Sequence, residues 1–134
     1  MGYGLTPRVV QKLYDQGCRF ILTADNGVAS SEAASLAKSL GITLVITDHH
    51  EPKIDLSGEE IIPPCDALLC HKVKGNTTQK VDLCGAATLW TLCRAIDETS
   101  AAPFIDAAGL ATVVDMVSLA DVTNRLMVKH ALSK

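Results

Sequence analysis

Arg19-Phe20-Ile21-Leu22-Thr23-Ala24-Asp25-Asn26-Gly27 and Ile42-Thr43-Leu44-Val45-Ile46-Thr47-Asp48-His49-His50 follow one pattern, an apolar, β-branched run that ends in polar residues. Each run has the length and composition of a strand, and its polar end reads as a turn. Between them, Ser30 or Ser31 can cap a helix running to Leu40, with Ala33, Ala34, Leu36, Ala37 and Leu40 as its inward stripe and Gly41 as its stop. The unit is strand, helix, strand. Continuous rather than alternating hydrophobicity in both strands implies cover on both faces, as in a parallel sheet with a right-handed crossover. The expected fold class is therefore α/β, a doubly wound, mainly parallel sheet with helices on both faces. Both polar clusters then fall on the same sheet edge.

Outward from this unit, Thr6 to Gln16 places Val9, Val10, Leu13 and Tyr14 at helical spacing, with Pro7 in the first turn and Gly17 past the end. Residues 51–64 carry three prolines and several charges and are expected to form a loop, with a short strand near Glu60 to Ile62. Asp66 to Cys70 reads as a third strand and His71 to Asp82 as an exposed loop. Gly85 to Ile96 is apolar nearly all round, the mark of a central packed helix. Pro103 opens another helix, apolar through Val114, and Arg125 to Leu132 makes a last short one. With 134 residues, no internal repeat and no linker, residues 1–134 read as a single domain.

Hydrophobic residues make up 48% and charged residues 20%, which excludes a disordered or low-complexity chain. No apolar run reaches the roughly 20 residues that span a bilayer, and the first residues lack a signal peptide's pattern. A cytoplasmic setting is expected, since the five cysteines form an odd set without a C-x-x-C pair. The net charge of -3 argues against holding nucleic acid by bulk charge, and 4% aromatic residues are too few for a stacking platform.

In an open α/β sheet, ligands bind beyond the carboxyl ends of the strands. Asp25 follows one strand, and Asp48, His49 and His50 follow the other. Oxygen and nitrogen ligands without a thiolate suit Mn²⁺, Mg²⁺ or Zn²⁺, and favour the harder ions. Asp25-Asn26-Gly27 alone is more often a turn, and Asp-His-His is as readily a surface turn as a functional site. Asp115, among Val113, Val114, Met116 and Val117, is a carboxylate in apolar company, to be explained by a helix cap, a salt bridge or a site. His71 and His130 read as surface residues, and the cysteines as small core hydrophobes.

Thr23-Ala24-Asp25-Asn26-Gly27, Val45-Ile46-Thr47-Asp48-His49-His50-Glu51-Pro52, Leu83-Cys84-Gly85-Ala86 and Thr112-Val113-Val114-Asp115-Met116-Val117-Ser118-Leu119 together resemble the DHH phosphoesterase superfamily. Within it they are most similar to the branch of RecJ-type single-stranded-DNA-specific exonucleases. Gly2-Tyr3-Gly4-Leu5 and Asn124-Arg125 extend the resemblance over nearly the whole chain. It implies that Asp25 bridges two Mn²⁺ ions, with Mg²⁺ as the alternative, and that His49 and Asp115 complete one of the two metal sites. It also implies that His50 contacts the scissile phosphate and that Asp48 supports the metals as a ligand or through its neighbours. The catalytic pair would be His50 and Asp48, and the implied reaction is hydrolysis of single-stranded DNA from a 5′ end.

The departures are as informative. The superfamily's Asp-rich first motif is absent, so the domain is expected to be partial, with a missing amino-terminal segment or a partner chain completing the metal site. Cys70-His71-Lys72 stands where the branch carries an Asn-Pro-Arg-like stretch. Asp121 is a rival to Asp115, which keeps Thr112 and Leu119 at the expected offsets. Two alternatives stay open: a phosphodiesterase of the same superfamily acting on short oligonucleotides, cyclic dinucleotides or pyrophosphate, and a non-catalytic scaffold.

Overall fold

A computed structural model of the chain describes residues 4–76 and 81–133. Gly2-Tyr3 of the opening stretch and residues 77–80 of the expected loop lie outside the described residues. The first helix, α1, spans Pro7–Asp15, and the Thr6 hydroxyl at its N-cap accepts the Val9 N–H. It is followed by β1 (Phe20–Ala24), α2 (Ser31–Ser39) and β2 (Thr43–Thr47). Ser30 takes the N-cap position of α2, as the sequence suggests, but its side chain makes no cap hydrogen bond among the described residues. Next come the two-residue strands β3 (Lys53–Ile54) and β4 (Glu60–Ile61), an antiparallel hairpin in the expected loop. β5 (Ala67–Leu69) is the third strand of the main sheet.

That sheet has the order β1-β2-β5 and is parallel throughout. Ile21, Leu44 and Ile46 turn one face towards Val10 of α1 and Ala33, Ala34 and Ala37 of α2, forming the first core. Small alanines let α2 lie close to the strands. The other face is covered less completely than continuous hydrophobicity predicts. Exposure alternates along β1, and Phe20 and Leu22 remain 55% and 43% accessible. The apolar composition of β1 therefore reflects strand propensity as much as burial.

The second half of the chain is helical: α3 (Gly85–Ile96), α4 (Glu98–Ala101), a 3₁₀ turn over Ala102–Phe104, α5 (Ile105–Val114) and α6 (Val122–Ala131). Leu83, Cys84, Ala87, Ala108 and Met127 form a second core. The expectation of a centrally packed α3 fails beyond its first turns. Gly85, Ala87 and Thr88 are buried, whereas Cys93 and Ile96 are exposed. Pro103 sits in the 3₁₀ turn, so α5 starts two residues later than the proline suggests. α6 starts three residues earlier than read from sequence, because the Asp121 side chain caps it by accepting the Thr123 N–H at 2.7 Å. The cysteines are not uniformly core residues: Cys70 and Cys84 are buried, Cys18 and Cys65 half-buried, and Cys93 exposed.

Candidate metal centre

The register of the parallel sheet sets Ala24, Thr47 and Leu69 in one row at the carboxyl edge. The ladder continues one step further: the Asp25 N–H donates to the Thr47 carbonyl and the Asp48 N–H to the Leu69 carbonyl, each at 3.0 Å. Asp25 then leaves the strand in the left-handed region, with φ at 64°. For a residue other than glycine this conformation costs on the order of 1 kcal/mol or more and persists only where the surroundings impose it.

Those surroundings are specific. Gly85, the first residue of α3, packs so closely on Asp25 that a Cβ there would overlap Asp25 Cβ and Oδ1. On the other side, His49 Nε2 stands 3.0 Å from Asp25 Oδ1 and 3.8 Å from Asp115 Oδ2, which α5 delivers at its C-cap. The 3.0 Å approach lacks hydrogen-bond geometry, so Asp25 Oδ1 is a buried acceptor with no hydrogen-bond donor among the described residues. A buried oxygen left this way is costly, and an imidazole nitrogen and a carboxylate oxygen facing one another without a shared proton suit a cation. Asp25, His49 and His50 can bring one ligand atom each to within 4.8 Å of the others. Carboxylate and imidazole donors without sulfur fit a divalent cation.

Asp48 stands apart from this group although it is 1% exposed. Its Oδ2 accepts the Val28 N–H at 2.9 Å, and its Oδ1 accepts the His49 N–H at 2.8 Å, the His50 N–H at 3.2 Å and the His50 ring at 2.7 Å through Nδ1. Burial pushes its carboxyl up, but the hydrogen bonds from Val28, His50 and His49 together outweigh it and hold the group below the usual carboxylate range. Asp48 thereby fixes the backbone of both histidines and the ring of His50, whose side chain is 53% exposed. With Nδ1 engaged, Nε2 is the nitrogen that His50 presents outwards.

Residues 4–114 match the family described as "DHH family, N-terminal domain". The chain belongs to the DHH family. As a DHH chain it is 31% identical to the single-stranded-DNA-specific exonuclease RecJ of Salmonella typhimurium and 32% identical to that of Bacillus subtilis. Each alignment covers 99% of this chain but only 24% and 16% of those proteins, so the chain spans a quarter or less of these relatives' length. A crystal structure of exonuclease RecJ bound to manganese shares its fold, with a TM-score of 0.76 at 23% identity over 99% of this DHH chain and 33% of that one. The DHH match ends one residue before Asp115.

Of the residues singled out in this DHH sequence, Asp25, His49, His50 and Asp115 are brought around the His49 ring, and Asp48 lies beneath them. Asp121 is taken up by the cap of α6. His71 is misplaced by the sequence reading: its side chain is 7% exposed and its Nε2 stands 2.6 Å from Asp82 Oδ1. His130 is not isolated either, with Nε2 3.4 Å from Asp106 Oδ1. Sequence reasoning also missed why Gly85 and Asn124 matter. Gly85 is the space for the Asp25 carboxylate, and the fully buried Asn124 donates through Nδ2 to the carbonyls of Asp82 and Ser118. Among the described residues no helix is long and apolar enough to cross a membrane.

Proposed function

We propose that this chain carries out metal-dependent phosphodiester hydrolysis as part of a RecJ-like exonuclease acting on single-stranded DNA. The observation that carries the reading is the buried Asp25 Oδ1, 3.0 Å from His49 Nε2 without a hydrogen bond. Asp25 and His49 would hold Mn²⁺, or Mg²⁺ in its place, with Asp115 closing the same side at 3.8 Å from His49. Such an ion, when bound, polarises a phosphoryl oxygen and lowers the pKa of a coordinated water. The chain's own residues do the rest. Asp48 locks the turn that aims both histidines, and the exposed His50 ring, held through Nδ1, meets the substrate phosphate with Nε2. The family membership and the RecJ relatives support DNA as the substrate class. Five free cysteines support a reducing, cytoplasmic setting.

One observation favours a smaller substrate. A pocket of about 310 Å³, lined by Gly4, Asn26, Gly27, Ala29, Ser30, Asp48 and His50, is at the small end of ligand pockets. The test begins with calorimetric titration of Mn²⁺. His49→Ala and Asp115→Asn are expected to weaken binding by roughly tenfold or more without unfolding the chain. Unchanged affinity in both variants would rule out this site. A length series of single-stranded substrates then separates the two readings: a preference for dinucleotides over long strands would overturn the exonuclease.

A further inference from the structure

His71 lies two residues beyond β5, on the sheet edge that carries Asp25 and Asp48. Its side chain is more than nine-tenths buried, Nε2 is 2.6 Å from Asp82 Oδ1, and Nδ1 is enclosed without a hydrogen-bond partner among the described residues. A ring with both nitrogens enclosed is not placed to touch a substrate. Lys72 Nζ, 3.5 Å from the same Asp82 oxygen and 3.7 Å from Glu51 Oε1, closes the outer side of the pair.

What the pair holds is the segment that leads into α3. The Asp82 side chain is fastened to the end of β5 through His71, and the Asp82 carbonyl accepts from Asn124 Nδ2 of α6 at 2.8 Å. The same amide reaches the Ser118 carbonyl at 3.0 Å, in the turn between α5 and α6. Three residues after Asp82 comes Gly85, whose backbone presses on the Asp25 carboxylate with no room for a single added carbon. A shift of this segment is therefore felt directly by Asp25. A hydrogen bond from an enclosed ring to a carboxylate, backed by two from a buried amide to backbone carbonyls, is stiff enough to transmit position.

We propose that His71 and Asp82, backed by Asn124, form a positioning clamp that seats Gly85 against Asp25 and so fixes the direction in which the Asp25 carboxylate faces His49. Its consequence for metal binding rests on the reading of the site given above; its geometry does not. Both are positioning residues, since neither touches the reacting atoms.

The test uses the whole chain, metal-free and then titrated with Mn²⁺ alone. In His71→Ala the amide resonances of Asp25 and Gly85 are expected to shift and amide exchange to quicken over residues 81–85, while the amides of α1 and α2 stay in place. Mn²⁺ affinity should fall roughly tenfold or more, as for partners that orient a ligand. Asp82→Asn keeps an acceptor oxygen for His71 and should retain most of both properties. Should His71→Ala fail to fold, Asp82→Ala removes the same contact from its exposed side and is read in the same way. Asp25 and Gly85 amides that do not move overturn the clamp whatever the metal does. A moved Asp25 amide with unchanged Mn²⁺ affinity overturns its role in the site. Wild-type protein that binds no Mn²⁺, while His71→Ala still moves Asp25, supports the clamp and overturns the metal reading.

Discussion

Asp48 receives three backbone N–H groups and one ring nitrogen while itself only 1% exposed. Asp48→Asn would turn an amide NH₂ towards one of these donors and remove the charge that the others complement. Equilibrium urea unfolding is expected to show a loss on the order of 3 kcal/mol. A loss below about 1 kcal/mol would mean that the carboxylate does not hold the His49-His50 turn. At this scale the sequence was legible where chemistry follows directly from position on a strand. Asp25, Asp48, His49 and His50 could be placed on one edge because each comes directly after an apolar run. The contacts of Gly85 with Asp25, of His71 with Asp82 and of Asn124 with Asp82 were not legible. They join residues 60, 11 and 42 positions apart, and no local periodicity reports on them.

Among the elements, strands were easier to read than helices. β1 and β2 announce themselves by short β-branched runs between turn residues, β5 by a shorter apolar one, and the parallel order of the first two follows from the helix between them. Helix ends depended on caps that compete: Asp121 starts α6 before Arg125, and Asp97 starts the unforeseen α4 by accepting the Ser100 N–H. The crossing of α5 with α6 could not be foreseen either, because it is set by an absence of side chain. A Cβ at Gly109 would fall inside contact distance of the Met127 carbonyl and 2.8 Å from Ala131 Cβ. Gly109→Ala should force the two helices apart, although alanine favours the helix itself. A fall in stability of about 1–3 kcal/mol is expected, read as a lowered Tm. An unchanged or raised Tm would show that the helices can slide without loss.

Two cores divide the molecule, one between the sheet and α1 and α2, the other among α3, α5 and α6. His71 joins them, and its protonation is coupled to the stability of the whole. Burial pushes its imidazole below the ordinary value of 6.5; Asp82 opposes this, while Lys72 and His49 add to it. As pH falls, the unfolded chain takes up this proton before the folded one does. The contribution to stability is therefore full above 6.5 and is lost as pH falls through that value towards the lower folded pKa. Urea midpoints should decline on acidification through this window, and the decline should be shallower in His71→Gln. An identical decline in the variant would assign the effect to another group. The double core also has an optical consequence. The single tryptophan, Trp90, is half-buried in the helical half, its indole N–H donating to the Ala101 carbonyl at 2.9 Å, while Tyr14 packs against the sheet-side core. Indole emission and the share of phenol emission that Tyr14→Phe removes thus report on different halves of one chain, and their melting curves coincide only if the two halves come apart together.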